Sequence, residues 1–199
     1  MNVIAFTGAG ISKAAGIPTF EEVPNLKDKL TVEFKQSNPV EFFDTMETLI
    51  DTVKDKEPTL AHKALASLPI PIITMNIDCL HQKAGSRLVL ELHGNYRKEN
   101  IVLYGENIHN AEAVINLILQ VSGKARLYNQ ESIFLVIGTS MQTAFANTLV
   151  GIAEKCGMKI HFINENAEEE VPKFIKEYVF LPRKKEEWNN TYYLYSYLY

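Results

Sequence analysis

Four apolar residues, Val3-Ile4-Ala5-Phe6, run directly into Thr7-Gly8-Ala9-Gly10-Ile11-Ser12. A short buried strand that ends in Gly-x-Gly commits a chain to a narrow set of folds. Glycine lets the backbone turn tightly and come close to a ligand, and a helix that starts there leaves unpaired N–H groups beyond the strand end. Such a turn suits the pyrophosphate of a dinucleotide, and a side chain at Gly10 would occupy the space that the pyrophosphate needs. Lys13 stands where the third glycine of the usual pattern would be. Strand-to-helix turns also contain glycine without binding anything, so this segment alone leaves both readings open.

The rest of the chain repeats strand and helix signals in alternation. Strand-like apolar runs occur at Ile70 to Thr74, Leu88 to Leu92, Ile133 to Ile137 and Ile160 to Ile163, with a weaker one at Tyr178 to Leu181. A short helix opens at Ser12 and stops at Gly16-Ile17-Pro18. Residues 21–38 are polar and without period, and read as a loop that orders on binding a cofactor. Pro39 starts a helix capped by Asn38, with Phe42, Phe43, Met46, Leu49, Ile50 and Val53 at helical spacing. Thr59 caps the next, which carries Leu60, Ala64, Leu65 and Leu68. Helices are also predicted over 110–122, capped by Asn110 and ended by Gly123, and over 144–156. Strands that alternate with helices imply a mostly parallel sheet covered on both faces, a doubly wound, Rossmann-like α/β fold.

Composition narrows the function. The 199 residues suit one domain, 1–199, with a cofactor loop and small helical lid over 24–58 and an aromatic tail over 183–199. The formal net charge of −4 and the scattered Lys and Arg argue against a nucleic-acid partner. No apolar run is long enough to span a bilayer, and no basic region precedes the first apolar stretch as in a signal peptide. Cys79 and Cys156 are too few and too far apart for a disulfide framework or a zinc site, which fits a reduced cytoplasm. Nothing in the pattern specifies an oligomeric state.

In a parallel sheet, ligands bind beyond the carboxyl ends of the strands. Those ends carry Gly8, Gly10 and Ser12, then Asn76 and Asp78, then His93 and Gly94, then Gly138, Thr139 and Ser140, then Asn164 and Glu165. Small, hydroxyl, amide, carboxylate and imidazole groups thus converge on one edge of the sheet. Isolated histidines at strand ends are most often structural. Asp78 on its own residues reads as a helix N-cap, Cys79 as a bystander without a base, and His62 and His81 as packing residues.

These residues resemble a known family. Gly8-Ala9-Gly10-Ile11-Ser12 with Gly16-Ile17-Pro18-x-Phe20 resembles the first signature of the sirtuins, the NAD-dependent protein deacylases. Thr74-Met75-Asn76-Ile77-Asp78-x-Leu80-His81-x-x-Ala84-Gly85 resembles the second, and Glu91-Leu92-His93-Gly94 the third, which bears the catalytic histidine. Val102-Leu103-Tyr104-Gly105-Glu106 is similar to the substrate-groove strand, with Tyr104 for the usual Phe. Gly138-Thr139-Ser140 and Ile163-Asn164 resemble the two later NAD segments. The matches keep the family's order over about residues 1–165.

The resemblance implies NAD as cofactor and an acyl-lysine protein or peptide as substrate. Gly8, Ala9, Gly10, Ser12, Ile17, Phe20, Gly138, Thr139, Ser140, Asn164 and Glu165 would then bind NAD, with Asn164 on the adenine ribose. Nicotinamide would lie near Ile77 and Asp78, and Asn76 beside the nicotinamide ribose. The acyl oxygen would attack the anomeric carbon as nicotinamide leaves, and His93 would act as general base through the ribose hydroxyls, a task that suits an imidazole. Val102, Leu103, Tyr104 and Gly105 would form the groove. The expected products are nicotinamide and an acylated ADP-ribose.

Several positions depart from the family pattern. Thr19 and Glu21 replace the usual Asp and Arg around Phe20, and Glu21 is expected to point away from the diphosphate. Met75 replaces a Gln and cannot donate to a ribose hydroxyl. Typical sirtuins carry a four-cysteine zinc module between the catalytic histidine and the groove strand. Here only Asn95 to Ile101 intervenes, without cysteine, so a zinc-independent form without a zinc ribbon is expected. NAD glycohydrolase, ADP-ribosyltransferase and a weakly catalytic NAD sensor remain as alternatives to the deacylase.

Overall fold

The computed structural model describes residues 2–98, 100–141 and 143–180. The strands are β1 (Val3–Thr7), β2 (Ile72–Thr74), β3 (Val89–Glu91), β4 (Ile133–Ile137) and β5 (Lys159–Ile163). They form one parallel sheet in the order β3-β2-β1-β4-β5. The chain winds outward from β1 to β3, then crosses to the other flank of β1 for β4 and β5. The strand order therefore reverses between β1 and β4, which opens a crevice at their carboxyl ends.

Period-two alternation along β1 builds two cores. Val3 and Ala5 face one layer, where Ile72, Leu135 and Ile137 meet α4 (Leu60–Ala66) and α8 (Ala167–Ile175) through Leu65, Val171 and Phe174. Ile4 and Phe6 face the other, where Phe134 and Val136 meet α6 (Ala111–Leu127) and α7 (Ala144–Lys155) through Ile118 and Leu149. Each fully buried Phe, Leu or Ile contributes roughly 1.5–3 kcal/mol. A strand buried on both faces favours a continuous apolar run, as in Val3 to Phe6, and the buried Thr7 that ends it has its hydroxyl bonded to Thr74.

Between β1 and α4 lie α1 (Leu26–Lys29), α2 (Val32–Ser37) and α3 (Pro39–Val53), in the stretch expected to form the cofactor loop and lid. The expected loop over 21–38 is thus partly helical. Thr31 caps α2 by accepting from the Phe34 amide at 3.0 Å, and Leu26 and Leu30 are buried. Asn38 does not cap α3 with its side chain; its Nδ2 donates to Ser37 Oγ instead. Phe42 and Val53 are buried on α3, whereas Phe43 is exposed. The short α5 (Leu80–Lys83) follows β2.

Other sequence expectations are corrected. The first helical segment is a 3-10 turn, Ala9–Ala15, that begins three residues before Ser12 and ends at Gly16 in the left-handed region. Helix α6 runs through Gly123 and stops at Leu127. Nothing crowds Gly123, and tertiary packing of Ser122 and Ala125 outweighs its weak propensity. Asn110 precedes α6 without a side-chain cap and donates to the Glu91 carbonyl at 2.8 Å. The weak strand over Tyr178 to Leu181 does not form. Lys176–Phe180 instead continue α8 as a π-helical turn, with Tyr178 stacked on Phe174 at 4.4 Å; Leu181 and the aromatic tail over 183–199 lie outside the described residues. No helix among the described residues is long and apolar enough to cross a membrane.

Candidate active site

The two glycine turns at the switch point interlock. Gly8 N–H donates to the Ile137 carbonyl at 2.9 Å, and Gly10 N–H to the Gly138 carbonyl at 2.8 Å. A Cβ on Gly10 would lie 2.6 Å from Gly138 Cα, and one on Gly138 would fall on the Ile11 amide. Gly138 also has φ +59°, where a side chain is strained. A side chain at Gly10 would therefore meet the backbone of Gly138 before any ligand, which corrects the expectation that it would meet pyrophosphate.

Ser12, Asn76 and Asp78 form a hydrogen-bonded trio beside this turn. Ser12 Oγ donates to Asp78 Oδ2 at 2.7 Å. Asn76 Nδ2 donates to the Gly8 carbonyl at 3.1 Å and to Ser12 Oγ at 3.2 Å. The Leu80 amide donates to Asp78 Oδ1 at 2.9 Å; the N-cap of the next helix is Cys79, one residue later than the N-cap reading of Asp78, so Asp78 holds the turn before that helix and also lines the site. Burial pushes the Asp78 carboxyl up from its ordinary value, against the pull of these donors.

Asn76 and Asp78 line the polar end of a cavity of about 270 Å³. Ile17, Phe20 and Ile77 supply apolar surface, and α3 closes the far side with Thr45, Thr48, Leu49 and Thr52. The three threonine hydroxyls donate to carbonyls four residues back in α3, so that wall offers few free donors. Sequence reasoning missed this wall, although Thr45, Thr48 and Thr52 recur at helical spacing.

The remaining candidates follow the order of the strands. Ser140, Asn164 and Glu165 are exposed beyond β4 and β5, and the buried Thr139 donates its amide to Asn164 Oδ1 at 3.3 Å. His93 lies past the end of β3, half-buried. Four strand spacings of ~4.8 Å separate β3 from β5, ~19 Å in all, a span on the scale of an extended dinucleotide. Burial, and to a smaller extent nearby His109, lowers the His93 imidazole below its ordinary value.

The segment after His93 is pinned to the stretch between α1 and α2. The Val102 amide donates to the His93 carbonyl at 3.0 Å. Tyr104 N–H donates to the Leu30 carbonyl at 2.9 Å, and Val32 N–H to the Tyr104 carbonyl at 3.1 Å, a parallel bridge between Thr31 and Tyr104. Leu103 is buried; Tyr104 and Gly105 are exposed, and Lys27 Nζ lies 5.5 Å from the Tyr104 ring centre. One edge of this segment is thus occupied by residues 30–32.

The unusual residues have local explanations. Glu21 is exposed. Its neighbour Glu22 pairs with Lys13 at 2.7 Å and accepts from the Thr19 amide at 2.8 Å, which ties the loop after the glycine turn. Met75 packs into the core under α6 and α7, where Thr143 Oγ1 lies 3.9 Å from its sulfur. Cys79 is buried, and that burial raises its thiol, so it is a poor nucleophile.

His62 and His81 pack as expected, but they also carry polar links. Thr7 Oγ1 is hydrogen-bonded to Thr74 Oγ1 and to His81 Nε2, each at 2.9 Å. Thr74 Oγ1 in turn accepts from the Asn76 amide at 3.1 Å. His62 lies 4.6 Å from His81, ring centre to ring centre, and bonds Thr59 Oγ1 through Nδ1 at 2.8 Å. Burial lowers both imidazoles, that of His62 to about 4. Among the described residues, no group of three or more His, Cys, Asp or Glu side chains is placed to hold a metal ion.

Comparison with known proteins bears on family and fold. The model of the Sir2 family matches residues 8–100. An NAD-dependent protein deacetylase of Thermodesulfovibrio yellowstonii is 32% identical over 81% of this chain and 78% of its own length. NAD-dependent protein deacylase 2 of Archaeoglobus fulgidus is 32% identical over 82% and 79%. A Sir2 structure with a p53 peptide and NAD+ superposes with a TM-score of 0.73 at 26% identity, covering 90% of this chain and 94% of that one. With the glycine turns, the buried Asp78 and His93 at successive strand ends, these likenesses assign the fold and the lineage together: the chain belongs to the Sir2 family.

Proposed function

We propose that this protein is an NAD-dependent protein lysine deacylase. The observation that carries the reading is the pair Asn76 and Asp78, both bonded to Ser12, at one end of a largely apolar cavity whose threonine hydroxyls are bonded within their own helix. Such a cavity fits a flat aromatic ring that bears one carboxamide, as nicotinamide does, and the adjoining glycine turns offer a backbone surface to phosphates. When bound, NAD supplies a glycosidic bond whose cleavage accompanies acyl transfer.

In this reading Gly8, Ala9, Gly10 and Thr139-Ser140 hold the pyrophosphate, and Asn164 and Glu165 lie at the adenosine end. Asp78 accepts from the carboxamide, and Asn76 is held beside the nicotinamide ribose. Ile17, Phe20 and Ile77 exclude water. His93 takes a proton at a ring nitrogen, and its burial keeps it neutral and ready to do so. Val102 to Gly105 offer a groove edge to an acyl-lysine peptide. Residues 24–58 act as the lid of a single domain. The two free thiols support a cytoplasmic site of action, and the lack of any thiol between Asn95 and Ile101 supports independence from zinc.

The test is incubation with NAD, with and without an acetyl-lysine peptide, and identification of products by mass. The expected outcome is peptide-dependent release of nicotinamide, with acylated ADP-ribose formed in step with deacylation and unaffected by chelator. Free ADP-ribose without peptide would make the protein a hydrolase, a modified acceptor a transferase, and no nicotinamide release a sensor.

A further inference from the structure

We infer that Glu91 and Asn95 are positioning residues, a clamp that sets the turn carrying His93 against the wall of the cofactor cavity. The inference rests on the reading of His93 as the base. Glu91 ends β3 two residues before His93, and its side chain is nearly buried. Its carboxylate accepts from Gln82 Nε2 at 2.6 Å, and from Asn95 Nδ2 at 2.8 and 2.7 Å on its two oxygens, with Lys98 Nζ at 3.5 Å. Asn95, two residues after His93, is also buried. Its Oδ1 accepts from the Arg97 and Lys98 amides, both at 3.0 Å, and so starts the 3-10 turn Tyr96–Lys98.

The clamp reaches the cavity wall through Tyr96. The Tyr96 amide donates to the carbonyl of Ile77, a cavity wall residue, at 3.2 Å. The Asn95 amide donates to Asn100 Oδ1 at 3.0 Å, and Gly94 at φ +67° has no room for a Cβ against the Asn100 carbonyl. His93 is therefore bracketed by two residues that bond each other, on a turn with one permitted path. A buried network with its donors and acceptors paired fixes one geometry, because each alternative strands a polar group in low dielectric. None of Glu91, His93 and Asn95 is among the side chains that line the cavity, so the clamp meets the cavity wall through the Tyr96 amide on Ile77 and sets His93 relative to that wall.

The test separates the clamp from the turn. Asn95→Asp keeps the oxygen that caps Arg97 and Lys98 but sets carboxylate against carboxylate. The exchange Glu91→Gln with Asn95→Asp restores a donor and an acceptor at unchanged total charge and leaves Gln82 an acceptor. Asn95→Asp should lower kcat for acyl transfer on the order of 10- to 100-fold with NAD affinity held, as a misplaced base does. The exchanged pair should recover most of it. In the uncharged Asn95→Ala, the His93 titration followed by NMR should move up toward the ordinary histidine value as water enters the loosened turn. Unchanged kcat in Asn95→Asp, no recovery in the exchanged pair, or an unmoved His93 titration in folded Asn95→Ala would overturn the clamp. If the wild-type chain forms no acylated ADP-ribose, the functional reading fails instead, and the NMR comparison alone decides the clamp.

Discussion

The amide of Gly10 donates to the carbonyl of Gly138 at 2.8 Å, and neither residue has room for a Cβ against the other turn. Two strand-to-helix turns 128 positions apart in the chain thus share one contact at the switch point. The glycines are required by the protein's own packing before any ligand arrives.

Gly10→Ala and Gly138→Ala should therefore destabilise the folded chain itself. Each would force backbone apart, a change of about 1–3 kcal/mol for an overpacked site. Gly138 adds the strain of its positive φ. Urea unfolding without NAD is the measurement, and a midpoint equal to wild type for Gly10→Ala would contradict the contact.

His93 gives the second expectation. As a general base it works neutral, and its lowered pKa keeps it neutral to more acid pH than an ordinary imidazole near 6.5. The acid limb of kcat against pH should accordingly lie below 6.5. His93→Ala should lose about 100-fold or more of deacylation and retain NAD binding. An acid limb above 6.5, or near-normal deacylation in the variant, would remove His93 from the role.

How far the sequence carries depends on which force decides an element. The doubly wound sheet was legible because Val3 to Phe6 and Ile133 to Ile137 are continuous apolar runs, and burial on both faces leaves little choice. The strand-end residues were legible for the same reason. The lid was not. Helices α1 and α2 span four and six residues, too short for periodicity, and depend on the Thr31 cap and on Leu26 and Leu30 meeting distant partners. Helix α8 was missed because Pro172 sits inside it. There, burial of Val171 and Phe174 outweighs one lost hydrogen bond. The Thr7–His81 link joins residues 74 positions apart, and no local pattern announces it.

The buried histidines predict how the fold responds to acid. His62 has a folded pKa of about 4 against 6.5 for the free side chain. Between those values the unfolded chain binds the extra proton, so stability is full above pH 6.5 and is lost as pH falls toward 4. His81, also held low by burial and by His62, acts in the same direction. The melting temperature of wild type should fall across this window, and that of His62→Gln should fall less steeply. Parallel curves would show that His62 is not held neutral by the fold.

The bridge between Thr31 and Tyr104 gives the last expectation, on the link between lid and groove. The Tyr104 amide proton is held by the Leu30 carbonyl, and the Tyr104 carbonyl by the Val32 amide. Exchange of the Tyr104 amide therefore requires the lid to part from the groove segment. The lid also forms part of the cavity through Val23, Pro24 and Leu26, so a cofactor in the cavity binds only when these residues are in place. Ligand that binds the closed form alone stabilises it by RT ln(1 + [L]/Kd), about 100-fold slower exchange at 100 times Kd where exchange follows the opening equilibrium. Hydrogen exchange with and without NAD should show this slowing together at residues 26–32 and at Tyr104, although Tyr104 lies far along the chain from the glycine turn. Slowing in the lid with none at Tyr104 would mean that the bridge opens independently and that the groove does not sense the cofactor. Equal exchange in both states at both places would show that the lid is not part of the cofactor site.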